Sequence, residues 1–162
     1  MSTNPNTAKS LRVQIKNIKS GRYLSVEGDD NNWKRDDASL TIRDSLGLAA
    51  VSSPQVWTIL QYRPNSYILI NQYSGSLACI RARSQGNGAT AIQYHSELVY
   101  APEPFQQWNF TQLKNKNWLI GNQNSGKFIG PQARETGNDH YCIQWDDQTA
   151  EDSYQEWEFS EI

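Results

Sequence analysis

The sequence contains few of the residues that build metal centres or disulfide frameworks. Two cysteines and two histidines among 162 residues cannot form a disulfide network, and a zinc site would need carboxylates to complete it. No run of about 18 apolar residues, the length of a membrane-spanning helix, is present. Lys and Arg number 15 against 17 Asp and Glu, a net charge of −2, without the basic excess typical of nucleic-acid-binding proteins. We therefore expect no metal, no cofactor, no nucleic-acid partner and no transmembrane segment.

The N-terminal segment lacks the features of a secretory signal. Residues 1–10 are polar, whereas a signal begins with basic residues followed by an apolar stretch. The expected location is therefore the cytoplasm, with release by a non-classical route left open. We also expect residues 1–10 to be disordered and residues 11–162 to form a single domain, which is an ordinary size for one.

Aromatic residues are abundant, with six Trp, eight Tyr and four Phe, and a disordered chain is excluded on that ground. A turn-like element, Asn-x-x-Ser-Gly, begins at Asn17, Asn71 and Asn122. A second motif, Gln-x-Trp, has its tryptophan 36, 33 and 31 residues after each glycine, and its glutamines are Gln55, Gln106 and Gln155. Because both motifs recur in the same order, the chain divides into repeats of about residues 11–64, 65–115 and 116–162.

Each repeat has the pattern of short β-strands. Apolar residues alternate with polar ones, as at Val13 and Ile15 or at Leu24 and Val26, which is the period of a half-buried strand. The Asn-x-x-Ser-Gly element lies between two such runs and suits a hairpin turn. The tryptophan of each Gln-x-Trp is expected to point into the core. Four strands in each of three repeats, with no long helical period, predict an all-β fold with pseudo-threefold symmetry.

The three Gln-x-Trp motifs at this spacing resemble those of the ricin B-chain type β-trefoil lectins. The Asn-x-x-Ser-Gly turn is similar to that of the microbial and fungal members, and the resemblance extends over residues 12–160. It implies a β-trefoil, in which a six-stranded barrel is capped by three hairpins. It also implies a carbohydrate-binding function without catalysis, with up to three sugar pockets, one in each repeat.

The pocket residues of the family are only partly kept. In a family galactose pocket an Asp follows the Ser-Gly hairpin, and an Asn precedes the Gln of Gln-x-Trp. The Asp position here holds Ser25, Cys79 and Gly130. The Asn position holds Pro54, Phe105 and Tyr154. The position of the aromatic residue that stacks on the sugar holds Arg43, Tyr94 and Trp145 in turn. Because only the last two are aromatic, working sites are expected in the second and third repeats.

The third repeat offers the leading candidate site. Trp145 lies at the stacking position, and polar residues lie on both sides of it in the sequence, namely Asp139, His140 and Asp146. An exposed ring can stack on the apolar face of a hexose while nearby carboxylates accept hydrogen bonds from its hydroxyls. Gln155, the glutamine kept from the family pocket, is expected to belong to the same site.

Two further positions are candidates for ligand contact. In the second repeat Tyr94 is the stacking residue, with His95 beside it and Gln106 as the family glutamine. Trp33 has no counterpart in the other repeats and lies in a polar loop. It is either a displaced binding site or a ring folded back onto the protein.

The cysteines, Cys79 and Cys142, fall on predicted strands and are expected to be buried free thiols, with a cross-repeat disulfide left open.

These features predict a lectin that binds carbohydrate and is not an enzyme. The expected ligands are galactose- or N-acetylgalactosamine-type glycans on glycoproteins or glycolipids. Each shallow site is expected to bind weakly, so avidity would come from two sites per chain or from a homodimer. The alternative is a protein-binding module, such as a protease inhibitor, that presents the loop Asp44–Pro54 or Ser96–Pro104.

Overall fold

The computed structural model describes residues 2–7, 9–47, 53–96, 101–148 and 154–162. The strands of the first repeat are β1 (Ser10–Asn17), β2 (Tyr23–Val26), β3 (Leu40–Arg43) and β4 (Val56–Arg63). Those of the second are β5 (Ser66–Asn71), β6 (Leu77–Ile80), β7 (Ala91–Tyr94) and β8 (Trp108–Gln112). Those of the third are β9 (Trp118–Asn122), β10 (Phe128–Pro131), β11 (His140–Trp145) and β12 (Trp157–Glu161). The prediction of an all-β fold with four strands in each repeat is confirmed.

Helical structure in the described residues is restricted to short 3-10 turns. They are Arg81–Arg83, Pro104–Gln106 and Gln132–Arg134. The first and third follow the equivalent strands β6 and β10, so they occupy the same place in repeats two and three. None of the helical segments that the structure describes is long and apolar enough to cross a membrane.

Six strands close into a barrel. β1 pairs with β4, β4 with β5, β5 with β8, β8 with β9, β9 with β12 and β12 with β1, all antiparallel. Each repeat contributes its first and last strand to this ring. A closed ring leaves no edge strand of the barrel unpaired, which explains how strands this short form a stable sheet.

The remaining strands form the cap. Three antiparallel hairpins, β2–β3, β6–β7 and β10–β11, rise from the barrel. β11 pairs with β3 at His140 and Tyr141. Single bridges join Ser39 to Ile92 and Thr90 to Ile143. Each hairpin is therefore joined to the other two, and the β-trefoil with its hairpin cap is confirmed.

The tryptophans of the Gln-x-Trp motifs fasten the cap to the barrel. Trp57, Trp108 and Trp157 are each 0% exposed. Their indole N–H groups donate to carbonyls of the hairpin strands, at Leu24, Ala78 and Ile129, over 3.1, 3.0 and 3.0 Å. A buried indole removes on the order of 200 Å² from water, which is worth roughly 5 kcal/mol. The same contact is thus made three times, as the repeated motif predicted.

The N-terminal residues do not fit the expectation of disorder. The backbone N–H of Thr3 donates to the carbonyl of Phe159 over 2.7 Å. The amide of Asn6 donates to the carbonyl of Phe110 over 3.1 Å, and Pro5 is buried. Residues 2–7 therefore lie against the barrel, where carbonyl groups of β8 and β12 accept hydrogen bonds from this polar segment.

Candidate functional site

A cleft opens beside the cap hairpin of the third repeat. It has a volume of about 190 Å³. Its lining comes from the end of β10, the 3-10 turn that follows, β11 and the start of the Gln-x-Trp region. The lining residues are Gly130, Pro131, Ala133, Arg134, Ile143, Trp145, Gln148, Tyr154 and Gln155. Such a mixture of apolar walls and a few polar groups is typical of small-molecule sites.

Trp145 stands at the rim of this cleft. It is the last residue of β11, where it pairs with Phe128, and it is 39% exposed. Side chains alternate along a strand, so Ile143 shares its face with Trp145 while Gln144 between them is 0% exposed. A Cβ placed on Gly88 would lie 3.7 Å from the Trp145 ring. A loop of the second repeat therefore approaches one side of the ring.

The floor of the cleft explains the absence of the family Asp. A Cβ placed on Gly130 would lie 2.7 Å from the carbonyl oxygen of Tyr154. Real Cβ atoms essentially never approach backbone this closely, so the backbone of Tyr154 occupies the place that a side chain would need. A carboxylate cannot be accommodated at this position without moving the Gln-x-Trp region.

Arg134 supplies the positive charge of the cleft. It has φ of 62°, the left-handed region, and follows Ala133, which has φ of 54°. This kink directs the guanidinium carbon to a point 5.0 Å from the ring centroid of Tyr154. A guanidinium over an aromatic face is held by cation–π attraction, about 0.5–1 kcal/mol at an exposed site.

Asp146, directly after Trp145, is joined to two partners. The amide of Asn87 donates to its Oδ2 over 2.9 Å, and its own backbone N–H donates to Asn87 Oδ1 over 3.0 Å. Lys127 Nζ lies 3.1 Å from the other carboxylate oxygen. Hydrogen bonds from Asn87 and Lys127 hold the pKa of Asp146 below its ordinary value. Asp146 is therefore an ionised residue that ties the end of β11 to the second repeat.

Gln155 shapes the cleft from beneath. It is 1% exposed. Its amide nitrogen donates to the carbonyl of Asp146 over 2.9 Å, and its oxygen accepts from the backbone of Gln148 over 2.8 Å. Gln55 makes the equivalent bonds to Asp44 and Leu46. The glutamine of Gln-x-Trp thus fixes the loop that follows the stacking residue.

The structure does not bring Asp139 and His140 to Trp145. His140 begins β11, Asp139 directly precedes it and Trp145 ends it; five steps along a strand cover roughly 17 Å. Asp139 forms an ion pair with Arg43 of the first repeat. His140 Nε2 lies 3.8 Å from a carboxylate oxygen of Glu135. Residues close to Trp145 in the sequence are separated from it here because the intervening chain is extended.

The second repeat holds a related arrangement around Tyr94. The ring is 49% exposed, and the guanidinium carbon of Arg83 lies 5.1 Å from the centroid of Phe105. His95 is exposed, and its backbone N–H donates to Asp36 Oδ1 over 2.7 Å. Gln106 is 7% exposed and its oxygen accepts from the backbone of Glu103, capping a 3-10 turn. Residues 97–100, which follow this site in the chain, lie outside the described residues.

Trp33 lies in the core rather than on a binding surface. It is 7% exposed and packs edge-on against Tyr73, with ring centroids 5.4 Å apart. The buried amide of Gln93 donates to its carbonyl over 2.7 Å. Of the two interpretations of this loop tryptophan, the structure shows the ring folded back onto the protein.

The structure also bears on the two cysteines and on two of the loops. Cys79 and Cys142 are buried and free, as predicted. No group of three or more His, Cys, Asp or Glu that could hold a metal ion occurs among the residues described. The loops proposed for protease inhibition, Asp44–Pro54 and Ser96–Pro104, both contain residues outside the described ranges, so that hypothesis stays a prediction.

Sequence reasoning missed Arg134 as a member of the site. The signal was present, because Gln132-Ala133-Arg134 follows β10 as Arg81-Ala82-Arg83 follows β6. Ala82 and Arg83 also have positive φ, of 57° and 56°. The shared Ala-Arg therefore marks a repeated kink that aims an arginine at the residue before the Gln of Gln-x-Trp.

The sequence profile of the ricin-type beta-trefoil lectin domain-like family matches residues 4–94. The chain belongs to this family. Its relatives are carbohydrate-binding modules that are typically non-catalytic, so the family supports a lectin function and glycans as partners. Among proteins with curated functions, a search finds no significant match.

Solved structures with similar folds support the β-trefoil architecture. A designed threefold symmetric protein, ThreeFoil, is 23% identical with a TM-score of 0.80, over 93% of this chain and 99% of its own. A Macrolepiota procera ricin B-like lectin in complex with lactose is 16% identical with a TM-score of 0.74, over 96% and 99%. An exo-beta-1,3-galactanase from Clostridium thermocellum is 24% identical with a TM-score of 0.78. The similarity covers 94% of this chain but 30% of the galactanase chain.

Proposed function

We propose that this lectin binds galactose- or N-acetylgalactosamine-type glycans in the cleft of the third repeat, with Trp145 as the stacking residue. The observation that carries the proposal is the 39% exposure of the Trp145 ring at the rim of a concave cleft. Large aromatic rings are usually buried, and Trp57, Trp108 and Trp157 follow that rule at 0% exposure. A ring left in water beside a cleft is suited to ligand contact.

The surroundings of the ring supply the polar contacts that a sugar needs. The apolar residues Pro131 and Ile143 line the cleft, and so do Arg134 and the amide of Gln148. One face of a hexose would pack on the ring while its hydroxyls bond to these groups. Such a small site supports affinities of millimolar to high micromolar, about 4 to 6 kcal/mol.

A second site around Tyr94 is part of the same proposal. Tyr94 is 49% exposed and occupies the stacking position of its repeat. Cys79 stands at the place that Gly130 holds in the third repeat, so the two sites differ in the side chain at this position. Two weak sites on one chain, or two chains in a homodimer, would raise avidity through effective concentration.

One solved structure with a related fold contains a sugar of the proposed class. The Macrolepiota lectin is described in complex with lactose, a disaccharide that contains galactose. At 16% identity this likeness supports the fold, and the choice of sugar rests on the cleft and on the family. We propose that the domain acts by binding alone.

The test is binding of the wild-type protein to an array of galactose-terminated and other glycans. Trp145→Ala and Tyr94→Ala are compared with Asp139→Asn, which alters the ion pair with Arg43 far from the cleft. We expect Trp145→Ala to lose most binding, Tyr94→Ala to lose part of the avidity and Asp139→Asn to bind as wild type. Absence of binding by a folded wild-type sample, or full binding by Trp145→Ala, would overturn the assignment.

A further inference from the structure

The cleft of the third repeat has an unusual charge for a site that binds neutral sugar. Among the lining residues that the structure describes, Arg134 alone carries a formal charge. The nearby carboxylate of Asp146 is already joined to Lys127 and Asn87. Gly130 leaves no room for the family Asp, as shown by the 2.7 Å approach to Tyr154. The described lining therefore carries a positive charge that no lining carboxylate balances, and a guanidinium has no acceptor to offer to a hydroxyl.

The side chain of Arg134 is also positioned so that it can bind a ligand. Its guanidinium carbon lies 5.0 Å from the centroid of Tyr154, and its backbone is fixed in the left-handed region at φ 62°. It is exposed, and the ion pairs found among the described residues do not include it. An arginine stacked in this way loses less rotamer entropy when it forms a bidentate pair. Glu151 and Asp152, close in sequence to Tyr154, lie outside the described residues.

The arginine and the stacking aromatic occur together in the repeats. Repeat two has Arg83 over Phe105 and the exposed ring of Tyr94. Repeat one has neither: Asp29 stands at the arginine position and Arg43 at the stacking position. The arginine also follows the ring that it stacks on, Phe105 or Tyr154, whose place in repeat one is taken by Pro54. In repeat three Arg134 and Trp145 line the same cleft, so both can contact one ligand.

We propose that the cleft of repeat three and the equivalent surface of repeat two bind the anionic group of an acidic saccharide, a carboxylate or a sulfate ester, through Arg134 and Arg83. The proposal deepens the lectin function and rests on it. The aromatic ring would hold the apolar face of the sugar, and the guanidinium would pair with the charged substituent. Planar bidentate pairing suits a carboxylate especially well, and the chain's net charge of −2 makes general attraction of anions an insufficient alternative.

The experiment compares ligands that differ only at C6 of the galactose ring. Methyl galactopyranoside carries a neutral CH2OH, methyl galactopyranosiduronate a carboxylate, and methyl galactopyranoside 6-sulfate a sulfate ester. Binding is measured by isothermal titration, and the indole signal of Trp145 in NMR spectra reports on the third repeat. We expect one of the acidic ligands to bind about tenfold more tightly than the neutral one, the value of a charge-assisted hydrogen bond.

Arg134→Gln is the decisive variant. It should abolish the preference, so that the acidic and the neutral ligand bind the Trp145 site of this variant with Kd values within about twofold of each other. Arg12→Gln removes the same charge from an exposed position on β1 and should change nothing. The carboxylate and sulfate arms together show which anion is preferred.

The outcomes separate this inference from the lectin function. Equal Kd values for neutral and acidic ligands, or an acid preference that survives Arg134→Gln, overturn the inference and leave the lectin function in place. Absence of any shift of the Trp145 signal with all three ligands overturns both. A preference for the acidic ligands that appears only in the double variant Glu151→Gln, Asp152→Asn also overturns the inference, because the wild-type chain then lacks that preference.

Discussion

The side-chain amide of Asn17 donates to the carbonyl of Tyr154 over 2.8 Å, and so joins the first hairpin turn to the region that floors the cleft. Asn71 bonds in the same way to Pro54, and Asn122 to Phe105, over 2.8 and 3.0 Å. Each repeated asparagine thus fixes the residue before the Gln of Gln-x-Trp in the preceding repeat. The ring of three bonds closes only because the first repeat returns to the third.

Asn17→Ala should therefore lower the free energy of unfolding by about 1–3 kcal/mol, the penalty for a buried carbonyl left without its donor. Asn17 is 0% exposed. Urea denaturation followed by tryptophan fluorescence measures the loss. Asn31→Ala, at an exposed loop position, is the control and should change stability by less than about 0.5 kcal/mol. Equal stabilities for the two variants would contradict the structural role.

The repeat-level features of this fold were predictable, because periodicity alone reports them. Val13, Trp57 and their equivalents alternate with polar residues and recur with the Gln-x-Trp spacing, and all are buried as expected. The turn of Asn71–Gly75 was predictable too, because it ends on a glycine, which adopts positive φ readily. Gly75 has φ of 73°, and its N–H donates to the carbonyl of Asn71 over 2.8 Å. Local chemistry determines both.

The site was less predictable, because it depends on contacts between distant segments. Trp33 is buried by Tyr73 and held by Gln93, both from the second repeat. Asp139 pairs with Arg43 across the seam where the third repeat meets the first. Arg134 depends on a positive φ at a residue other than glycine. Neither pairing across repeats nor such a backbone kink is visible in the spacing of apolar residues.

Gly130→Ala tests the floor of the cleft. The added Cβ would lie 2.7 Å from the carbonyl oxygen of Tyr154, so backbone must move, at about 1–3 kcal/mol of stability. We also expect weaker glycan binding, because Tyr154 carries the ring under Arg134. Gly86→Ala is the matched control, since its nearest contact would be the Ser84 hydroxyl at 3.6 Å. Similar stability of both variants would show that the floor is less rigid than the geometry indicates.

The two cysteines should be unreactive in the folded protein. Burial, with a further contribution from the Asp37 charge, raises the pKa of the Cys79 thiol to about 12. Burial also raises the pKa of the Cys142 thiol. Because the thiolate is the nucleophile, alkylation by iodoacetamide at pH 8 should be slower than in urea by more than about a hundredfold. Mass spectrometry of tryptic peptides measures each site, and fast native labelling of either one would contradict its burial.

The hydrogen bonds and the ion pair that join Asp146 to Asn87 and Lys127 should make the end of β11 sensitive to acid. Hydrogen bonds from Asn87 and Lys127 hold the pKa of Asp146 below its ordinary value of 3.8. A carboxyl whose folded pKa is depressed stabilises the fold above its unfolded pKa, and this contribution is lost as the pH falls through the folded pKa. NMR titration of the side-chain carboxyl should give a midpoint below 3.8 in the wild type and a higher one in Asn87→Ala. Asn31→Ala should leave the midpoint unchanged. A wild-type midpoint at or above 3.8 would mean that Asp146 does not form these bonds in solution. The loop of the second repeat would then not hold Trp145 at the rim of the cleft.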